Sequence, residues 1–320
     1  MTSFTSLLVI TDLSFDDDRV VRRAALVAHA HGARLHVLHM LKAPGIKSLR
    51  HWFVRANDIE VETANALGTL RRLATEISRA SDVVATVEVV ASDRFELLMQ
   101  AAGRADLVVL GGRRLGRTGG WLFGSTAGRV LRSCPSPMLV VRGRGEHPYQ
   151  RVLVPIDFTA GSDAAIQVAS RIRREAGMHL LHTIDSPREA VLRDADVPDH
   201  VIRQTRLREE AGARARMHRR IASLGLDGAG MAFALAHGPV VRSTVRHARE
   251  IGADLIVAGK PRRSTVAGML LASVSGGLLS GSACDVLIVP EPRTDTLPQA
   301  PLSPAHWIHR TATFIPRRPS

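Results

Sequence analysis

Leu7-Leu8-Val9-Ile10-Thr11-Asp12-Leu13-Ser14 returns 145 residues later as Val152-Leu153-Val154-Pro155-Ile156-Asp157-Phe158-Thr159. Two more stretches repeat in the same order. Ala105-Asp106-Leu107-Val108-Val109-Leu110-Gly111 matches Ala253-Asp254-Leu255-Ile256-Val257-Ala258-Gly259, and Met138–Val141 matches Val286–Val289. Three ordered matches at nearly constant offset mark a duplicated unit. Each half alternates short apolar runs with helical periodicity, the pattern of a parallel sheet covered on both faces. Strands are predicted over 6–11, 34–40, 84–90, 106–110 and 137–141, then over 152–157, 178–184, 230–236, 254–258 and 285–289. Helices are predicted over 16–31, with Val20, Ala24 and Val27 on one face, and over 198–224, with Met217, Ile221 and Leu224 at helical spacing.

The fold expected from this pattern is α/β: two tandem doubly wound five-stranded parallel sheets, each in strand order 3-2-1-4-5. A chain of 320 residues suits two such cores. The domains are expected at 1–143 and 151–291, joined by a linker at 144–150. Residues 292–320 form a proline-rich tail, expected to be disordered or laid over the surface, with Trp307, Ile308, Phe314 and Ile315 apolar enough to dock.

The net charge of +13 and pI near 11.3 raise the question of nucleic acid. The charge is almost all arginine, spread over predicted helix faces (Arg22, Arg23, Arg71, Arg72, Arg171, Arg173, Arg174), and aromatics are only 4% of residues. That supplies neither a basic stripe nor a stacking platform, so no specific nucleic-acid partner is expected. No apolar run reaches the length of a membrane span, and the N-terminus has no signal-peptide pattern. With two cysteines, Cys134 and Cys284, and no disulfide framework, the expected compartment is the cytoplasm, with no membrane partner.

Ligands of a doubly wound sheet sit beyond the carboxyl ends of the strands. Asp12 and Asp157 follow strand 1. His39-Met40 and His182-Thr183 end strand 2. Glycine-bearing loops follow strand 4 at 111–126 and 259–274. Strand-Asp-[Phe/Leu]-[Ser/Thr], Leu-x-His-hydrophobic, Ala-Asp-Leu-[Ile/Val]-Val and a closing Leu-[Ile/Val]-Val resemble the universal stress protein (UspA-like) family over nearly the whole chain, in both copies. The resemblance implies an adenine nucleotide α-hydrolase-like fold and a tandem, two-domain family member. It also implies an internal pseudo-dimer of the two domains through Met138–Val141 and Val286–Val289, apolar edges otherwise left open.

The ATP-binding branch of that family carries Gly-x2-Gly-x9-Gly-[Ser/Thr] after strand 4. Glycines let backbone N–H groups approach phosphate, and the next helix N-terminus adds its dipole. Gly111, Gly124 and Ser125 fit this pattern, with Arg114 at the second glycine. In the second copy Gly259 and Ser273 fit, but Arg262 and Ala272 replace glycines. The implied nucleotide-binding set is Asp12, Met40, Gly111, Arg114, Gly124, Ser125 and Thr126, with ATP and magnesium as the implied ligand. The first domain is the expected binder, because Ala272 and Pro261 obstruct the second. The same residues equally serve as turn formers and helix caps, with the aspartates as acidic N-caps.

Rival chemistries lack their residues. There is no Gly-x4-Gly-Lys-[Ser/Thr] and no Gly-x-Gly-x-x-Gly after a first strand. His36 and His39 fall on opposite strand faces and do not chelate together. The expected function is a non-enzymatic, cytoplasmic stress-response module acting through adenine nucleotide sensing or through protein contacts with a partner the sequence does not name. An interaction scaffold with degenerate sites is one alternative. A slow ATPase is another, for which no residue presents itself to orient water.

Overall fold

The computed structural model describes residues 3–13, 17–41, 56–91, 95–114, 121–122, 125–173, 177–184, 198–226, 230–260, 274–291 and 309–315. The chain divides into two compact units, Met1–Pro148 with Arg293–Ser320, and Tyr149–Pro292. The first unit runs β1 (Ser6–Thr11), α1 (Asp17–His31), β2 (Arg34–Leu41), α2 (Ala56–Ser81), β3 (Ala85–Ala91), α3 (Phe95–Arg104) and β4 (Leu107–Gly111). It continues with a small hairpin, β5 (Arg113–Arg114) and β6 (Trp121–Leu122), then α4 (Ser125–Ser133) and β7 (Met138–Val141). The second unit runs β8 (Arg151–Ile156), α5 (Ala160–Ile172), β9 (Gly177–Ile184), α6 (Asp199–Ser223), β10 (Met231–His237), α7 (Val240–Glu250), β11 (Leu255–Lys260), α8 (Val274–Gly281) and β12 (Asp285–Pro290). The chain then returns to the first unit as β13 (His309–Phe314).

Two separate five-stranded parallel sheets do not describe this architecture. In the first unit six strands are hydrogen-bonded in the order β7-β4-β1-β2-β3-β13, and in the second unit five in the order β10-β9-β8-β11-β12. The β13–β3 ladder is antiparallel, His309 opposite Val90 through Phe314 opposite Ala85, so the sheet is mixed. The physical reason is edge chemistry. The outer side of β3 would present a row of unpaired N–H and C=O groups, and β13 takes them. A count of five strands per half left that edge out.

Within each unit the core follows from the sequence pattern. Leu7, Leu8, Val9, Leu107, Val108 and Val109 are buried in the first, and Val152, Leu153, Val154, Leu255, Ile256 and Val257 in the second. Helices α1, α6 and α7 end alike. Gly32, Gly225 and Gly252 take φ of +65°, +69° and +60°. The next residue's N–H then reaches back over the last turn, as in Ala33 to Ala28 at 2.9 Å and Ala253 to Ala248 at 2.8 Å. Helix α6 is fixed beside α5 by the fork of Arg220 on the Asp163 carboxylate, Nε to Oδ1 at 2.6 Å.

The repeated Ala-Asp-Leu motif has a structural job. Asp106 Oδ2 accepts from the Thr5 N–H at 2.7 Å, the Thr5 hydroxyl at 2.7 Å and the Ser6 N–H at 3.1 Å. Asp254 repeats this on Gln150 and Arg151, at 2.6 and 3.1 Å. Each aspartate ties down the start of its unit's first strand. Burial pushes the Asp106 pKa up, but the hydrogen bonds from Thr5 and Ser6 outweigh it and hold the carboxyl below its usual range. Because the folded value lies below the unfolded one, the stabilisation is complete above the ordinary aspartate pKa and is lost as pH falls through the folded value. Asp106→Ala is expected to cost about 1–2 kcal/mol near neutral pH, at the low end because the carboxylate is partly solvated. Urea unfolding checks it, with the gap between variant and parent closing below about pH 4.

Candidate functional site

In the second unit a cavity of about 360 Å³ opens at the carboxyl ends of β8, β9 and β11. Its walls come from the β8–α5 turn (Asp157, Thr159, Gly161, Ser162), the end of β9 (Leu181, His182, Thr183), the end of β11 (Ala258, Gly259), the starts of α7 and α8 (Val240, Val274, Ser275), and Glu291. Each wall has a local cause. Asp157 Oδ1 accepts from the Thr159 N–H at 3.0 Å and its hydroxyl at 2.6 Å. That turn carries Phe158 through φ +64°. Thr159, rather than Asp157, is the N-cap of α5, its side chain accepting from the Ser162 N–H at 3.4 Å. Burial raises the Asp157 pKa, but the bonds from Thr159 and Ser162 prevail and hold it low, so the carboxylate is ionised.

His182 Nδ1 lies 2.9 Å from the Ile156 carbonyl oxygen. A carbonyl only accepts, so Nδ1 carries the proton and Nε2 of the neutral ring is an acceptor. The ring leans on Phe158 at 4.7 Å between centroids, and the Arg216 guanidinium lies 4.1 Å from the centroid of the Phe158 ring. Thr183 Oγ1 is buried with no hydrogen-bond partner among the described residues. Ser275 Oγ donates to the Gly259 carbonyl at 3.0 Å. Gly259 itself is a packing residue: a Cβ there would fall 2.4 Å from both the carbonyl carbon and oxygen of Gly161.

The first unit repeats part of this frame. His39 Nδ1 donates to the Thr11 carbonyl at 2.9 Å. Burial, opposed by the Thr11 bond and by Asp12 and Glu62, lowers the His39 pKa. Leu13 takes φ +58°, its N–H held by Thr11 Oγ1 at 2.9 Å. Asp12 is exposed just beyond β1. Registers Thr11–His39 and Ile10–Leu110 bring the ends of β1, β2 and β4 together, so Asp12, Met40 and Gly111 share one end of the sheet. The Met40 side chain, however, lines a different cavity of about 450 Å³ between α3 and the sheet, beside His36 and Glu88. Arg114 pairs with Trp121 in the β5–β6 hairpin, and Ser125 and Thr126 open α4. Gly124 lies outside the described residues, as do Pro261, Arg262, Ala272 and Ser273. Among the described residues no group of three or more His, Cys, Asp or Glu could hold a metal, and no helix is long and apolar enough to cross a membrane.

The sequence pattern of the universal stress protein family matches residues 3–142 and again 148–290. The chain belongs to the universal stress protein family. A tandem universal stress protein is thus built from the two repeats. A universal stress protein of Mycolicibacterium smegmatis is 27% identical over 298 residues, 88% of this chain and 96% of that one. The universal stress protein in the QAH/OAS sulfhydrylase 3' region of Thermus aquaticus is 31% identical over 136 residues, 41% of this chain and 96% of its own. Among solved structures, a universal stress protein of Archaeoglobus fulgidus superposes with a TM-score of 0.65 at 18% identity, covering 90% of this universal stress protein and 98% of its own chain. At that identity it shows the fold. Sequence reading missed Thr159, Gly161, Ser162, Ser275 and Glu291; the only signal for them was their position after strand ends.

Proposed function

We propose that this universal stress protein is a non-catalytic module that senses an adenine nucleotide, with the second-domain cavity receiving the nucleoside. The observation that carries the reading is the cavity at the strand ends, one of whose wall residues, Thr183, has a buried hydroxyl with no partner among the described residues. A buried polar group left unpaired costs about 1–3 kcal/mol, so such groups mark places where a ligand completes the hydrogen bonding. The volume falls at the small end of ligand sites. The walls favour a neutral, donor-rich ligand. The Asp157 and Glu291 carboxylates and the His182 Nε2 accept from amine and ribose hydroxyl donors, while the carboxylates repel phosphate. Phosphates would therefore lie outward, toward the start of α8, with magnesium between them and the carboxylates.

Thr183→Val tests this, because it keeps shape and removes the unpaired hydroxyl. The variant is expected to fold with equal or higher stability and to bind ATP-Mg about tenfold more weakly, read by calorimetric titration beside thermal unfolding. Unchanged affinity removes the second-domain site. The first domain remains a second reading, favoured by α4 beginning at Ser125 directly after Gly124. Gly124→Ala in the intact chain is its test, with loss of affinity expected if phosphates approach the backbone there. No heat from the parent protein with ATP-Mg would favour the interaction scaffold.

A further inference from the structure

Among the described residues β10 hydrogen-bonds in the sheet only to β9, and its sequence is Met231-Ala232-Phe233-Ala234-Leu235-Ala236-His237. Edge strands are normally blunted with charge, proline or a covering segment. The first unit does this. Its corresponding strand β3 carries Glu88 and is covered by β13. In β10 only the terminal His237 is ionisable, and no proline interrupts it.

We propose that β10 is the contact surface for a second copy of this chain, pairing antiparallel with the same strand of its partner. The strand is a size palindrome about Ala234. In an antiparallel pair centred there, Ala234 meets Ala234, Ala232 meets Ala236, Phe233 meets Leu235 and Met231 meets His237. The large side chains fall on the α6 side, where Phe233 already packs on His218 at 4.4 Å between centroids. The alanines fall on the other side. An isologous two-fold contact needs such self-complementarity, and no like charges oppose within the strand pair.

A second observation lies on α6. Leu207 is 65% exposed. It stands about 140° round the helix from Arg220 at 100° per residue, and Arg220 faces α5 through Asp163. Leu207 therefore borders the open side of β10, where the partner's α6 would come alongside. Arg203 and Arg214 share that side, so the dimer tightens when salt screens their repulsion.

The test uses the full chain with Cys134→Ala and Cys284→Ala, so that introduced thiols report alone. Sedimentation is expected to give twice the 34.6 kDa chain mass at micromolar concentration, and Ala234→Lys to leave a folded monomer. Opposed residues of an antiparallel pair are about 4.5–5.5 Å apart at Cα, within disulfide reach. Ala234→Cys alone is expected to cross-link two chains under mild oxidation. Ala232→Cys is expected to cross-link with Ala236→Cys and not with itself. A monomer throughout the micromolar range overturns the proposal. So does a dimer that Ala234→Cys fails to trap, or one trapped instead between Ala234→Cys and Thr311→Cys, which would mean the C-terminal strand covers β10.

Discussion

Gly259→Ala is expected to destabilise the second unit by about 3 kcal/mol, far more than an exposed glycine-to-alanine change. The added methyl would fall 2.4 Å from two backbone atoms of Gly161, and backbone cannot rotate aside as a side chain can. Either the end of β11 moves off α5 or α5 loses its first turn, with its Thr159 cap. Both movements deform the cavity. Gly212 in α6 has nothing within 4 Å of its would-be Cβ, so Gly212→Ala is expected to stabilise by up to about 1 kcal/mol through helix propensity. Urea midpoints of the two variants read the contrast. A Gly259→Ala protein unfolding at the parent midpoint would mean that β11 and α5 are not in contact there.

The second large effect concerns Tyr149, the single tyrosine of the chain. Its hydroxyl donates to Asp285 Oδ2 at 2.8 Å, with both residues buried. Tyr149→Phe takes a donor from a carboxylate that water cannot reach. The expected cost is about 2 kcal/mol, the scale of a hydrogen bond to a charged group. Asp285→Asn in the same background is expected to recover part of it, since the neutral amide demands less. Denaturant unfolding of Tyr149→Phe, Asp285→Asn and the double variant gives the coupling. Additive losses would show that the two side chains do not interact.

Tyr149 also shows where the sequence was readable and where it was not. Its neighbourhood reads as linker, because Arg142–Gln150 lacks apolar periodicity, and one buried aromatic makes no period. The strands were legible because parallel strands buried on both faces are nearly continuous apolar runs, and duplication displays each run twice. β13 was not. His309–Phe314 is six residues among prolines, and only the open side of β3 makes it a strand. The site was half legible. Asp157, His182 and Thr183 follow from strand ends. That Gly259 packs against Gly161, and that the Thr183 hydroxyl has no partner among the described residues, depend on how helices close over the sheet. Counting glycines in the loop after strand 4 weighs phosphate clearance alone and says nothing about the space around the nucleoside.

The return of the chain to its first unit sets an order on how the protein can be made. The second unit is continuous, Tyr149–Pro292, whereas the first is completed by a segment that follows it. On a ribosome moving at about 5–20 residues per second, β3 waits about 10–40 s between its own emergence and that of β13. Throughout that time a nascent first unit shows a bare, valine-rich strand to its surroundings, and the second unit can finish first. A vectorially synthesised chain of this design is therefore most exposed to misassembly late in translation, and anything fused closely after Phe314 competes with the last strand for its seat.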